Sequence, residues 1–543
     1  MTVARRDGWP ARPWGQTSAQ RGVWALSIVL AVAVSLAIAV APVWGALAFG
    51  LLVLVVAAAL SAEFSLASII LSALCVLGLK SYLGLPAQAL LLVRLLIGVF
   101  ALSALLYARR ERHARAHLAA VVAWLGVLTV SALFGVSSRF LSLQALWVYA
   151  CGPIAFVAIL YSGLSMRSLQ RVSLLVGLVI AAELPIVLFQ YLFVTKLVDQ
   201  MGGTFGKIGG TQILAVVMGF AWAISIAMLT DRARVWLVPI AVGIATLLFA
   251  CEAKAGFLFC ALATVAVGLA RGALQRRFAT VTLRYVAAAL AAVGALFAAF
   301  AYAGGLFMGG ERAAQKQLAN ISNPRLVYEY LFSYGPQGQA GRLESVRLAL
   351  SRGRPPLADI LIGRGPGLLS ISKLTGGTST FLLQTGMLFN WATSLTRSIL
   401  ETGVVGTALY ICVVGSAVWT IASLWQPRSS VVGTSVVSAA VGLATVYILA
   451  GTYSLAWYTD GVAILFWCLL GMGARWGQLR LEEQGELGSG PRYRNPLGSD
   501  SRGRGAASVL GLQRMPAAGE QHLEHVAKGA QSASVRHKGY GHR

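Results

Sequence analysis

An arginine-rich stretch late in the chain holds the residues best suited to chemistry. Gly341-Arg342-Leu343-Glu344-Ser345-Val346-Arg347 opens a segment whose apolar residues at 343, 346 and 350 recur at helical spacing, with Arg342 and Arg347 off that stripe. Glu344 can reach Arg347 one helical turn on. Gly353-Arg354-Pro355-Pro356 should stop the helix, and Ile362-Gly363-Arg364-Gly365-Pro366-Gly367 follows. A glycine-rich turn with an arginine can bring backbone N–H groups and a guanidinium to one anion. Guanidinium pairs with phosphate through two parallel hydrogen bonds. The plain alternative is a solvated amphipathic helix followed by an ordinary turn.

A second glycine-rich stretch, from Gly202-Gly203-Thr204-Phe205-Gly206-Lys207 to Thr211, precedes an apolar run. A helix N-terminus there would offer N–H groups and a positive dipole end to an anion; a connector that binds nothing fits equally well. Arg94, Glu183, Glu252, Lys254, Arg397, Glu401 and Asp460 lie within or beside apolar runs, where ionisable groups are costly and mark candidate sites. Arg94 and Glu183 are placed to pair with each other or with backbone carbonyls. The six histidines are His113, His117, His522, His525, His537 and His542. None falls on the side of the arginine-rich stretch, so a proton acceptor there must be a carboxylate such as Glu344 or Glu401, or the substrate itself. None of the six cysteines forms a CxxC pair, and neither a disulfide framework nor a metal site is apparent.

The elements that must position these residues follow from composition. The chain is 57% hydrophobic and only 12% charged, too little charge to coat a water-soluble protein of this size. The deficit is concentrated in about fourteen apolar runs of roughly 18 to 24 residues, long enough to cross a hydrocarbon core. In lipid such runs must be helices, because only a helix satisfies its own backbone. The fold class expected is an all-α polytopic membrane protein. Residues 1–22 form a polar tail, helices 1–11 occupy 23–308, a large loop with amphipathic helices spans 309–402, helices 12–14 occupy 403–474, and a basic, disordered tail runs from 475 to 543. The individual runs lie near 23–41, 44–61, 64–79, 86–107, 118–136, 145–161, 172–194, 211–229, 235–250, 255–270, 285–308, 403–425, 430–451 and 455–474. The first run reads as a retained anchor, with no cleavable signal peptide.

The net charge of +25 fits membrane orientation better than nucleic-acid binding. Arg109, Arg110 and Arg112, Arg167 and Arg171, Arg232 and Arg234, and Arg271, Arg276 and Arg277 follow alternate runs, so all fall on one side. Short basic loops stay in the cytoplasm, which puts both termini there and the 309–402 loop outside. Long translocated loops escape that rule, so the arginines of this loop need another explanation.

The order of these features resembles the O-antigen ligase and polymerase superfamily of bacterial inner membranes. The residues that carry the resemblance are Gly341-Arg342 leading a helix, Pro355-Pro356, the 362–367 turn, Leu400-Glu401-Thr402-Gly403-Val404-Val405-Gly406, and the earlier Gly203-Thr204-Phe205-Gly206. Cys251-Glu252-Ala253-Lys254-Ala255-Gly256 is placed like the family's Ser-Arg-Gly element. The likeness spans residues 172–425. Ligases of the family carry a His-Asn pair where this chain has Asn390-Trp391-Ala392-Thr393-Ser394, and Val346 sits where a tryptophan is usual; both departures favour a polymerase or a diverged relative over a ligase. The resemblance implies periplasmic-face, metal-independent glycosyl transfer from an undecaprenyl-diphosphate-linked glycan, for O-antigen or exopolysaccharide synthesis, with no cofactor and no nucleic acid. It implies that Arg342, Arg347 and Arg364 bind the diphosphate or glycan, with Lys254, Arg397, Gly203 and Thr204 in support and Glu344 or Glu401 as base. Other polysaccharide-assembly proteins are possible partners. A ligase of the same family, a polysaccharide flippase or transporter, and a non-catalytic assembly scaffold are the competing readings.

Overall fold

The computed structural model describes residues 61–83, 90–107, 115–194, 202–206, 210–229, 234–251, 253–275, 283–287, 340–351, 356–370, 392–425 and 431–483, with residues 291, 332, 379, 381 and 384. The expected runs at 23–41 and 44–61, nearly all of 285–308, the loop arginines Arg312, Arg325, Arg352 and Arg354, and the tail beyond 483 lie outside the described residues.

The described chain is a helical bundle. Its helices are α1 (Ala62–Leu83), α2 (Leu90–Tyr107), α3 (Arg115–Phe134), α4 (Arg139–Tyr161), α5 (Met166–Phe189), α6 (Gly210–Leu229), α7 (Leu237–Ala250), α8 (Lys254–Leu274), α9 (Arg342–Ser351), α10 (Leu357–Ile362), α11 (Ser394–Leu424), α12 (Val431–Tyr453) and α13 (Asp460–Glu483). Eight of the described helices are long and apolar enough to cross a membrane. The protein is an all-α, multi-pass membrane protein.

The sequence explains where several helices start. Ser138 caps α4 by accepting from the Leu141 N–H at 3.3 Å, and Ser165 caps α5 by accepting from Ser168 at 3.2 Å. Thr393 caps α11 by accepting from Thr396 at 3.2 Å. That cap corrects the expected boundary at 403: the helix starts nine residues earlier and carries Arg397 and Glu401. The last helix also runs past 475 to Glu483. Arg475 holds that extension, donating to the Leu164 carbonyl at 3.3 Å and to Gln478 at 2.8 Å.

Small residues let the long helices approach closely, as membrane packing requires. A Cβ on Gly219 of α6 would lie 3.0 Å from Val446 of α12 and 3.1 Å from Phe259 of α8; one on Gly442 of α12 would lie 2.8 Å from Val267 of α8. The helices alternate in direction. At one end, Ser394 of α11 donates its N–H to Ser454 just after α12 at 2.9 Å, and the turn at Gly202–Gly206 packs on α1 and the start of α6. At the other end, the buried Arg271 of α8 donates to the Ala227 carbonyl of α6 at 2.6 Å and to Ser435 of α12 at 2.9 Å, while Arg171 of α5 pairs with Glu63 of α1 at 3.4 Å.

Candidate functional site

The site is built around a break in α11. Gly403 adopts φ +69° and interrupts the helix, which leaves carbonyls on the preceding turn without their usual helical donors. The 363–367 turn takes them up. Arg364 donates its N–H to the Leu400 carbonyl at 2.9 Å, and Gly365 donates to the Glu401 carbonyl at 3.1 Å. Ser131 of α3 adds its hydroxyl to the same Glu401 carbonyl at 2.7 Å. The Arg364 carbonyl in turn accepts from Val136 at 3.0 Å. Gly363, at φ +84°, lies so close to α11 that a Cβ would stand 2.5 Å from backbone atoms of Glu401, Thr402 and Gly403. The expectation of an anion nest is corrected here: the N–H groups of Arg364 and Gly365 splice a broken helix and do not face a ligand.

The splice fixes Glu401, which is completely buried. Its Oε1 accepts from Arg397 Nε at 3.2 Å and from the Leu369 N–H at 3.0 Å. Its Oε2 accepts from the hydroxyl of Tyr149 on α4. Arg397 and Glu401 are four residues apart on one helix face, a spacing that favours the pair. The Arg397 side chain is 15% exposed. It also donates to Ser370 and lies over the Tyr458 ring at 5.0 Å. Tyr149 and Tyr458 meet with ring centroids 4.7 Å apart. The cluster is satisfied on every side: one carboxylate, three donors, and an arginine stacked on an aromatic face.

The α9 helix docks against this assembly through a face that its apolar spacing does not show. The expected stripe at 343, 346 and 350 is only partly buried, whereas Glu344 and Ser345 are buried. Ser345 shares a hydrogen bond with Thr396 of α11 at 2.7 Å, and Leu348 and Ala349 pack on Leu368, Ala392 and Leu400. A buried partner for Ser345 decides the orientation over the apolar spacing. Glu344 and Arg347 pair as expected, through two parallel bonds of 2.7 and 2.5 Å. The carboxylate is 5% exposed and the guanidinium 67%. Arg342 lies over the Tyr453 ring at 4.4 Å and donates to the Tyr453 carbonyl.

No protein-family model and no curated protein matches this chain. The site's own geometry therefore carries the functional argument.

Arg342, Glu344, Arg347, Arg364, Arg397 and Glu401 thus sit on elements locked to one another. Arg364 pairs with Asp359 at 3.0 Å and lies 5.9 Å from the Phe381 ring centroid. Lys254 is the first residue of α8, the helix whose Phe259 meets Tyr453 edge-on. Gly203 and Thr204 form a separate cluster at the same end. Thr204 donates its N–H to Glu183 Oε2 at 3.0 Å and its hydroxyl to Oε1. Gln190 closes on Gly203, accepting from its N–H at 3.0 Å and donating to its carbonyl at 3.2 Å. Glu183, expected to pair with Arg94 or with backbone carbonyls, is instead spent on the N–H and hydroxyl of Thr204. Tyr149, Tyr458 and Ser370 were not singled out in the sequence. The only signal for the tyrosines is a polar tip inside or beside an apolar run.

Proposed function

We propose that the protein is a glycosyltransferase acting on an undecaprenyl-diphosphate-linked glycan at the periplasmic face of a bacterial inner membrane, as a repeat-unit polymerase. The observation that carries this reading is the braced Arg397–Glu401 pair together with the exposed Arg347 guanidinium on the helix docked against α11, at one end of an apolar bundle. Arg115, Arg167, Arg171, Arg234, Arg475 and Arg480 belong to the opposite ends of their helices. That bias supports a cytoplasmic opposite end and a site on the outer face.

The chemistry suits the residues. An acceptor sugar hydroxyl attacks the donor's anomeric carbon. The new C–O bond forms as the bond to the diphosphate oxygen breaks, and the leaving diphosphate takes the electron pair. Stabilising that charge in a partly dehydrated site is a large contribution. Arg347, Arg342 and Arg364 supply it, with Lys254 in support. Glu344 is the carboxylate nearer to solvent and receives the hydroxyl proton; Glu401, closed off and saturated with donors, holds Arg397. A transporter reading would draw on the break in α11, since broken helices bind cargo in transporters. Here the carbonyls at the break are already taken by the turn and Ser131, which supports the enzyme reading.

Purified protein in detergent, given a polyprenyl-diphosphate oligosaccharide and no added metal, should produce longer lipid-linked glycans. Arg347→Ala should abolish them with membrane insertion unchanged. Wild-type chain lengths from that variant, or no elongation by the wild type, would remove the proposal.

A further inference from the structure

Tyr149 is a buried tyrosine on α4, 5% exposed, inside a helix long and apolar enough to span a membrane. A buried phenol needs a hydrogen-bond partner, and this one finds Glu401, 252 residues away. Its position is particular. The hydroxyl takes Glu401 Oε2, while Arg397 and the Leu369 N–H share Oε1. The ring rests on Tyr458 at 4.7 Å, and Tyr458 underlies the Arg397 guanidinium at 5.0 Å. Tyr149 therefore touches both groups that hold Arg397: the carboxylate that accepts from its Nε and the ring beneath its plane.

From this we infer that Tyr149 is a positioning residue that sets the orientation of the Arg397 guanidinium through Glu401. The division of the two carboxylate oxygens is the device. With Oε2 held by the phenol, Glu401 presents only Oε1 to Arg397, and the guanidinium engages it through Nε alone. The outer edge of the guanidinium is left to reach Ser370. Without the phenol, the buried Oε2 loses its side-chain donor, a costly change. The carboxylate then turns to offer both oxygens to Arg397 in a fork, the preferred geometry of the pair, and the guanidinium rotates away from Ser370 and off the Tyr458 ring. Phenylalanine at 149 keeps the ring contact and removes only the donor, so Tyr149→Phe isolates the effect.

The consequence for activity rests on the proposed glycosyl transfer, but the brace is testable without any substrate. Full-length protein in detergent is treated with phenylglyoxal, an arginine-selective reagent, and labelling of individual arginines is read by mass spectrometry. Tyr149→Phe should change the labelling rate of Arg397 several-fold while leaving Arg364, braced by Asp359, at its wild-type rate. Unchanged Arg397 labelling overturns the inference. A matching change at Arg364 overturns it as well, because it reports general loosening. In the transfer assay, Tyr149→Phe should raise the KM for the polyprenyl-diphosphate donor roughly tenfold, the scale of one lost hydrogen bond to a charged group. The same substitution should have no further effect in an Arg397→Ala background, since residues that act through one another are not additive. Additive effects refute the brace. A wild-type protein that neither binds nor elongates the donor refutes the enzyme reading instead, and the labelling result then decides the brace on its own.

Discussion

Glu183 and Glu401 are both fully buried carboxylates at the same end of the bundle, yet their donors differ. Glu183 is saturated by one neutral turn, through the N–H and hydroxyl of Thr204. Glu401 receives an arginine, a phenol and a loop N–H from three separate elements. A carboxylate used to fasten a turn needs only local donors. One that fixes a cation next to a site gathers donors from across the fold, and its neighbourhood is correspondingly harder to rebuild. The same difference separates the two glycine turns. Gly203 lies against the Glu183 side chain, whereas Gly363 lies against α11 backbone.

The largest test of that contrast is a pair of glycine substitutions. Gly363→Ala adds a Cβ 2.5 Å from backbone atoms that cannot retreat, at φ +84°. Positive φ alone costs about 1–3 kcal/mol, and the backbone clash adds to it, so the expected loss exceeds ~3 kcal/mol and membrane yield falls sharply. Gly203→Ala is also strained at φ +58°, but its nearest neighbours are the Glu183 and Val187 side chains, which can rotate. It should lose less. Thermal unfolding in detergent ranks the two, and equal losses would break the contrast.

Charge removal gives the next effect. Glu401→Gln leaves Arg397 buried without its counter-ion, a change of about 3–5 kcal/mol, and should end glycan transfer. Glu183→Gln turns one carboxylate oxygen into an amide N–H2 facing a Thr204 donor, at about 1–3 kcal/mol, with transfer retained. Loss of transfer in the Glu183 variant, measured on protein that still folds, would show that the turn belongs to the site.

The helices were largely legible because lipid forces apolar runs into helices. The α11 boundary was not. Ser394, Thr396 and Ser398 lower the apolar signal there, but all three are buried inside the protein, bonded to Ser454, Ser345 and Thr407. Hydropathy measures contact with lipid, and these residues face other helices. That misplaced start also hid the four-residue spacing of Arg397 and Glu401. In α9 the Glu344–Arg347 pair was readable because it is local. Its buried face was not, since Thr396 decides it from 51 residues away. The 362–367 turn looked like an anion nest because glycine and N–H content are visible in sequence, whereas the broken helix that consumes those N–H groups is not. Tyr149 had no signal beyond its own polarity.

Ser131 provides the finest division between fastening the splice and fixing the charge. Its hydroxyl reaches the Glu401 carbonyl at 2.7 Å, which also accepts from Gly365 at 3.1 Å. The carboxylate of the same residue is held by other donors. Ser131→Ala therefore removes one of two bonds to a main-chain oxygen and leaves no buried acceptor unpaired, so the expected loss is only about 0.5–1.5 kcal/mol. Arg397 should stay in place, with donor KM and phenylglyoxal labelling at wild-type values. If Ser131→Ala instead loosened Arg397 as strongly as Tyr149→Phe, the backbone splice and the side-chain brace would be one mechanical unit. The separation between a group that holds the helix and a group that aims the guanidinium would then fail at its smallest step.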